Sequence, residues 1–329
     1  MGQTSDFDPN LLISHKFPEV CFLLLHFIPD VILYALGVGA CARDAVDENE
    51  LKYVYHEDGA ATYPGFTNVC CLICCRIIRF SASRFRKLML VLMPILTRYD
   101  PRLLLHGQQY IEIHKSFPSS GCVQNKASIS GLHDKGKAAI VEIEIESYEK
   151  ESGELLCKNR MTTYLRGAGS FSRSSEPYSY SKYPNQPVSA VKVPKSQPFV
   201  VFEDCTQPSQ ALNFYAVMQA LLYRLSGDYN PLHSDPGVAK IAGFSRPILH
   251  GLCTLGFAVR AIIRCICRGD PNMVKNVQAR FLLHVYPGET LITEMWLQGL
   301  RVVYQTKVKE RSRTVLSGYV DLSRLASSL

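Results

Sequence analysis

Between Ala139 and Tyr148 the chain alternates strictly. Val141, Ile143 and Ile145 are apolar, and Glu142, Glu144 and Glu146 are acidic. A period of two marks a strand with one buried face and one wet face. The same reading predicts strands at 110–118 and 122–130 around a Ser-Ser-Gly turn, and at 155–166 after Ser152-Gly153. The stretch His133-Asp134-Lys135-Gly136 turns the chain into the alternating strand. A second set lies far downstream. Residues 276–287, 290–299, 301–310 and 313–322 read as strands, with Gly288-Glu289 at their first turn. Both sets share one order: strand, Pro-then-Gly turn, long strand, turn, strand, strand. Each is an antiparallel meander with one face that needs cover.

In the second set the cover is visible upstream. Pro247 to Arg268 is long, mostly apolar and free of internal proline, which predicts a helix buried nearly all round. An antiparallel sheet wrapped round one buried helix is the hot-dog arrangement. The first half shows the strands, but no equally clear central helix follows Tyr34 to Gly39. Between the halves, 167–199 is rich in Ser, Pro, Tyr and Gly and has no periodicity, so it reads as a surface linker. The expected organisation is α+β, with an N-terminal half at 1–166, a linker at 167–199 and a C-terminal half at 200–329.

Composition narrows the classes. Apolar residues make up 47% and charged residues 20% of 329, which excludes a wholly disordered chain. The net charge of +7 would suggest a nucleic-acid partner, but it is local. Gly59 to Tyr99 holds no acid and carries Arg76, Arg79, Arg84, Arg86, Lys87 and Arg98; without them the chain is near neutral. No nucleic acid is expected. Cys70, Cys71, Cys74 and Cys75 include a Cys-x-x-Cys step, but no second pair follows, so no metal is expected. Other cysteines sit in apolar runs, as reduced, buried thiols do. The start is polar and acidic, unlike a secretory signal. His26, Pro29 and Asp30 interrupt one apolar stretch, and Arg76 and Arg79 another, so no spanning helix is predicted. The final Ser-Ser-Leu is a relative of a peroxisomal address.

The candidate chemistry lies in 223–233, YRLSGDYNPLH. Asn230-Pro231 turns the chain, with Asn230 as cap and Pro231 at the first position of a short helix. That brings Asp228 and His233 to one small space. The pair reads either as acid and base or as an ordinary turn with a half-buried histidine. Some 18 residues on, Ile248-Leu249-His250-Gly251 opens the long helix. First-turn amides there suit an anionic oxygen, and Gly251 has no side chain to block it. Close helix packing would equally demand a glycine.

These stretches, with Ala239, AGFSRPILHGLCTLGF and VYPGETLITEMW, resemble the hydratase 2 family, the R-specific 2-enoyl-CoA hydratases of peroxisomal β-oxidation, related to MaoC-like dehydratases. The resemblance covers most of 34–55 and 103–320. It implies a double hot-dog fold, two antiparallel sheets with a central helix and a shortened or absent N-terminal one, leaving a tunnel for acyl chains. It implies Asp228 and His233 as the catalytic pair, Asn230 holding the site, and Gly251 N–H on the thioester oxygen. Tyr229, Pro231, Leu232, His106, Gly107, Lys135 and Phe281 match positions that line the acyl-CoA site. The implied reaction adds water to a trans-2-enoyl-CoA to give the (3R)-3-hydroxyacyl-CoA, with no cofactor. His233 is expected as base and Asp228 as donor to C2; the reverse split stays open. A homodimer, a peroxisomal location and an import receptor for the C-terminal tripeptide are further implications.

Three segments break the resemblance: Ala60 to Arg98, Gln207 to Leu221, where Gln-Ala-Leu recurs, and part of Pro18 to Ile32. Abrupt loss between well-matched flanks points to altered exon boundaries. An acyl-CoA-binding variant without turnover, and a thioesterase or dehydratase on another acyl carrier, are therefore rival readings.

Overall fold

The computed structural model describes residues 8–23, 27–44, 47–55, 104–118, 121–184, 191–206 and 216–326. The atypical stretch 60–98, its cysteine cluster and basic run, residues 207–215 and the final Ser-Ser-Leu lie outside them.

The predicted strands form, although the one expected at 110–118 runs Leu104–Ile113 and the one expected at 276–287 runs Val274–Phe281, and three strands that the pattern did not predict, Val20–Leu23, Ser179–Ser181 and Val200–Cys205, join them. In the N-terminal half they are β1 (Val20–Leu23), β2 (Leu104–Ile113), β3 (Cys122–Asp134), β4 (Ala138–Glu149), β5 (Leu155–Arg166) and β6 (Ser179–Ser181). The C-terminal half supplies β7 (Val200–Cys205), β8 (Val274–Phe281), β9 (Thr290–Gln298), β10 (Arg301–Val308) and β11 (Arg313–Leu322). Their order is β1-β3-β4-β5-β2-β8-β11-β10-β9-β7, with β6 pairing β3. The two meanders are thus copies of one topology, β3-β4-β5-β2 facing β9-β10-β11-β8. Where two sheets were expected, they join edge to edge: Gln108 to Glu112 of β2 pairs antiparallel with Asn276 to Arg280 of β8. Each pairing strand would otherwise leave an open row of amides and carbonyls.

The long helix, α6 (Gly251–Cys265), is buried continuously from Leu252 to Ile263. It begins four residues later than the apolar run suggests. Leu249 N–H is spent on Val285 O at 2.7 Å, which holds the preceding residues in extended form beside the chain leaving β8. The earlier helices are α1 (Pro9–Ile13), α2 (Phe27–Gly37), α3 (Glu48–Leu51), α4 (Ala216–Arg224) and α5 (Pro236–Ile241). Helix α2 has 11 residues against 15 in α6, and it packs on α4 and α6. The approach to α6 is close: a Cβ on Gly256 would lie 2.4 Å from Val38 and 2.5 Å from Tyr34.

Two features differ from the sequence pattern. The glutamate face of β4 is not wet. Glu144 is 1% exposed and receives Lys182 Nζ and Tyr183 OH, each at 2.6 Å. Residues after β6 fold back over that face, so the segment from 167 is partly a strap. Asp134 fastens its start. Burial pushes that carboxyl up, but the Ser172 hydroxyl and the amides of Gly136, Ser170 and Ser172 outweigh it and hold it below the usual range. The second feature is Arg260, buried within the apolar helix. It bonds Glu50, Asp204 and, at 3.0 Å, Val38 O. Its neighbour Arg264 reaches Asp47 at 2.7 Å. No disulfide joins the described cysteines, and Cys157, Cys253 and Cys267 are buried. Among the described residues no helix is long and apolar enough to cross a membrane.

Candidate active site

Helix α4 ends in three tight turns, and Gly227 leaves it at φ 120°, a backbone state that glycine alone adopts without strain. The next residues brace one another. Asp228 Oδ1 accepts the Asn230 N–H at 3.1 Å, and Asn230 Oδ1 accepts the Leu232 N–H at 3.0 Å. Asn230 thereby caps a single 3-10 turn, Pro231–His233, as its spacing predicts. Pro231 stays exposed and Leu232 is half-buried. Tyr229 points outward beneath the Arg224 guanidinium, 4.7 Å from the ring centre.

The turn delivers His233 into the interior, 8% exposed. Its Nδ1 lies 2.8 Å from Ile248 O. A carbonyl can only accept, so Nδ1 carries the hydrogen and neutral Nε2 keeps its lone pair. His250 stacks on this ring, with centroids 3.8 Å apart and planes at 29°. His250 Nε2–H donates to Asp228 O at 3.2 Å and sits 3.9 Å from Asp228 Oδ2. One carboxylate oxygen of Asp228 and one ring nitrogen of each histidine lie within 4.8 Å of one another. They do not form a metal cage. Lone pairs lie in the ring plane, so stacked imidazoles aim past each other, and one nitrogen on each ring is already committed to a carbonyl.

The other half of the sheet contributes from across the β2–β8 seam. His106 on β2 faces Phe281 on β8, with ring centroids 4.8 Å apart. Its Nε2–H donates to Gln108 O at 3.0 Å, across a bulge in the β2–β5 register. Gly107 at that bulge lies under Tyr164; a Cβ there would fall 2.2 Å from the ring. Gly251 is the first residue of α6, and its N-cap His250 makes no side-chain cap bond. The first-turn amides therefore have no side-chain capping oxygen. A Cβ on Gly251 would come within 3.3 Å of Phe281.

Asp228 and His233 thus lie together, His106 and Gly251 both lie against Phe281, Gly107 sits next to His106 under Tyr164, and Asn230 braces the loop of Asp228. Lys135 is exposed at the β3–β4 turn, with β4 and β5 between β3 and β2 in the sheet. Sequence reasoning assigned no role to His250 or Tyr223, whose rings lie 4.9 Å apart. One signal was available: a histidine stands where Ser, Thr, Asp or Asn usually caps a helix.

Burial sets the protonation. It pushes His106 down to about 4, against the pull of its Gln108 bond and the Asp228 charge. It also lowers His233, against Asp228 and the Ile248 bond. Burial, with His233 alongside, pushes His250 down to about 3. All three lie below the 6.5 of a free histidine. Below pH 6.5 the unfolded chain therefore binds more protons than the native one. Stability is full above 6.5 and falls as pH drops toward 4 and then 3. The expected loss is about 1.4 kcal/mol per pH unit for each histidine. Urea titrations from pH 7 to pH 4 check this; a flat midpoint would contradict it.

Comparison with known proteins places the chain in a family. Residues 28–167 match the model of the MFE-2 hydratase 2 N-terminal domain, and residues 203–318 the MaoC like domain. The chain is 57% identical over 328 residues to "Enoyl-CoA hydratase 2, peroxisomal" of Arabidopsis thaliana, covering 99% of this chain and 98% of that protein. It is similar to the crystal structure of a MaoC-like dehydratase from Phytophthora capsici, with 28% identity and a TM-score of 0.75 over 98% of this chain and 100% of that one. A Mycobacterium tuberculosis protein described as having a double hotdog fold aligns with a TM-score of 0.50 at 15% identity, over 94% of this chain and 95% of that one, which speaks for the fold alone. A two-fold repeat of one meander, a buried helix opening on a glycine and a near full-length match all lead to one place: the chain belongs to the hydratase 2 family of MaoC-like proteins.

Proposed function

We propose that this protein adds water reversibly to trans-2-enoyl-CoA thioesters, as an enoyl-CoA hydratase 2 of peroxisomal fatty-acid β-oxidation, and that its product is the (3R)-3-hydroxyacyl-CoA. The observation that carries the residue roles is the bare Nε2 of His233 beside the Asp228 carboxyl, in front of the uncapped start of α6.

The thioester oxygen accepts the Gly251 N–H, which draws electron density from C3. Water held between Asp228 and His233 attacks C3. The C3–O bond forms, the π electrons move to C2, and the water proton goes to His233 Nε2. C2 takes its proton from Asp228, the donor of the pair. Proton return from His233 to Asp228 then restores both. The tautomer of His233 favours it as the base. The homodimer and import receptor implied by the resemblance belong to the same reading.

Purified protein mixed with trans-2-decenoyl-CoA tests it. Loss of enoyl absorbance with an R-configured product is the expected result. Binding without turnover would favour an acyl-CoA-binding variant. Release of free CoA would favour a thioesterase.

A further inference from the structure

We propose that His250 is a positioning residue for this hydration: its ring N–H tethers the backbone of Asp228 while its face fixes the ring of His233. The inference rests on the hydratase reading.

His250 is 1% exposed and touches both members of the pair by different means. Nε2–H reaches Asp228 O at 3.2 Å, and the ring covers His233 at 3.8 Å. Behind it the aromatic column continues. Tyr223 of α4 lies 4.9 Å from His250, and Tyr34 of α2 lies 5.9 Å from Tyr223. The column runs from α2 through α4 to the base, so the rings of two helices set where His233 stands.

A residue needed only for packing would be apolar here. His250 instead leaves Nδ1 buried without a hydrogen-bond partner. Such an orphan is costly, so something must offset it. The tether does: among the described residues the loop carrying Asp228 is otherwise held by its own short turns, by Arg224 on Tyr229 O at 3.5 Å and by His233 on Ile248 O at 2.8 Å, and the His250 bond is the one that meets the Asp228 carbonyl. Neutrality also matters. His233 gains a proton during turnover, and a charged neighbour in stacking contact would oppose that step. Burial keeps His250 uncharged.

Two variants separate tether from packing. His250→Phe keeps the ring stack and removes the donor. His250→Gln loses the stack and offers an amide N–H toward Asp228 O. Displacing the loop by about 1 Å is expected to lower kcat on the order of 100-fold for His250→Phe. KM for trans-2-decenoyl-CoA should stay within about twofold, since uniform binding is untouched. His250→Gln is expected to retain clearly more kcat than His250→Phe. Wild-type activity in His250→Phe, or a Phe variant at least as active as the Gln variant, overturns the proposal. Histidine 15N spectra of the unmodified protein give a reading without any variant. An Nε2–H tautomer for His250 is expected, and an Nδ1–H tautomer would refute the tether. Asp228→Asn runs alongside. If it is active, the hydratase roles fail; if it is dead while His250→Phe is unimpaired, only the present inference fails.

Discussion

Replacing Asp228 by Asn is expected to lower kcat for enoyl-CoA hydration by about a thousandfold. The substitution is nearly isosteric. An amide oxygen can still accept the Asn230 N–H that Asp228 Oδ1 holds at 3.1 Å. The main-chain carbonyl that meets His250 is unchanged. What disappears is the exchangeable proton. A carboxamide cannot deliver one to C2, and it cannot take the proton back from His233. Because the Asp228 side chain is 32% exposed, the fold does not depend on its charge. The melting transition should therefore match wild type while turnover vanishes. Steady-state rates with trans-2-decenoyl-CoA and circular dichroism melts measure the two halves of this statement. An active Asp228→Asn protein would contradict the role given to this carboxyl.

The largest stability loss is expected at Arg260, far from the chemistry. Its side chain is 5% exposed and bridges Glu50 and Asp204, at 6% and 5%. Removing the cation leaves two buried carboxylates with only their outer partners, Arg264 at 3.1 Å and the Cys41 N–H at 2.8 Å for Glu50 and Arg43 at 3.6 Å for Asp204. Breaking a buried ion cluster from one side costs about 3–5 kcal/mol. Arg260→Leu should therefore shift the urea midpoint sharply, because the clamp joins α3 and β7 to the central helix. Neutralising all three positions together (Arg260→Leu, Glu50→Gln, Asp204→Asn) should recover much of that loss, since no buried charge is stranded. Arg264 still faces Asp47 and Glu50 at 2.7 and 3.1 Å, so part of the clamp survives. A single Arg260→Leu variant within about 1 kcal/mol of wild type would show that the network contributes little.

Strand identity was open to direct reading from the chain. The strand at 155–166 and the one at 313–322 carry the limits that their turns and alternation predict. The Asn230 cap was equally legible, because capping and turn chemistry act over two or three residues, whereas the apolar run set the start of α6 four residues too early. Other features were not. Glu144 alternates like a solvent-facing residue, yet its partners lie 38 and 39 residues away on a returning strap. Arg260 interrupts an apolar helix for a reason supplied by residues 210 and 56 positions distant. His250 reads as an unusual cap, and only the folded chain sets its ring against His233.

The amino-acid order by itself determined the two meanders, the buried helix between them, the short turn that points His233 inward and the glycine at the helix start. Each follows from steric and hydrogen-bonding preferences that act within a few neighbours. Only the tertiary structure decided that β2 and β8 close into one sheet, that His106 and Phe281 meet Asp228 across that seam, and that a second histidine backs the first. The β2–β8 seam joins segments more than a hundred residues apart, and the two histidines, 17 positions apart, meet only through packing; in both, burial, not local preference, selects the partner.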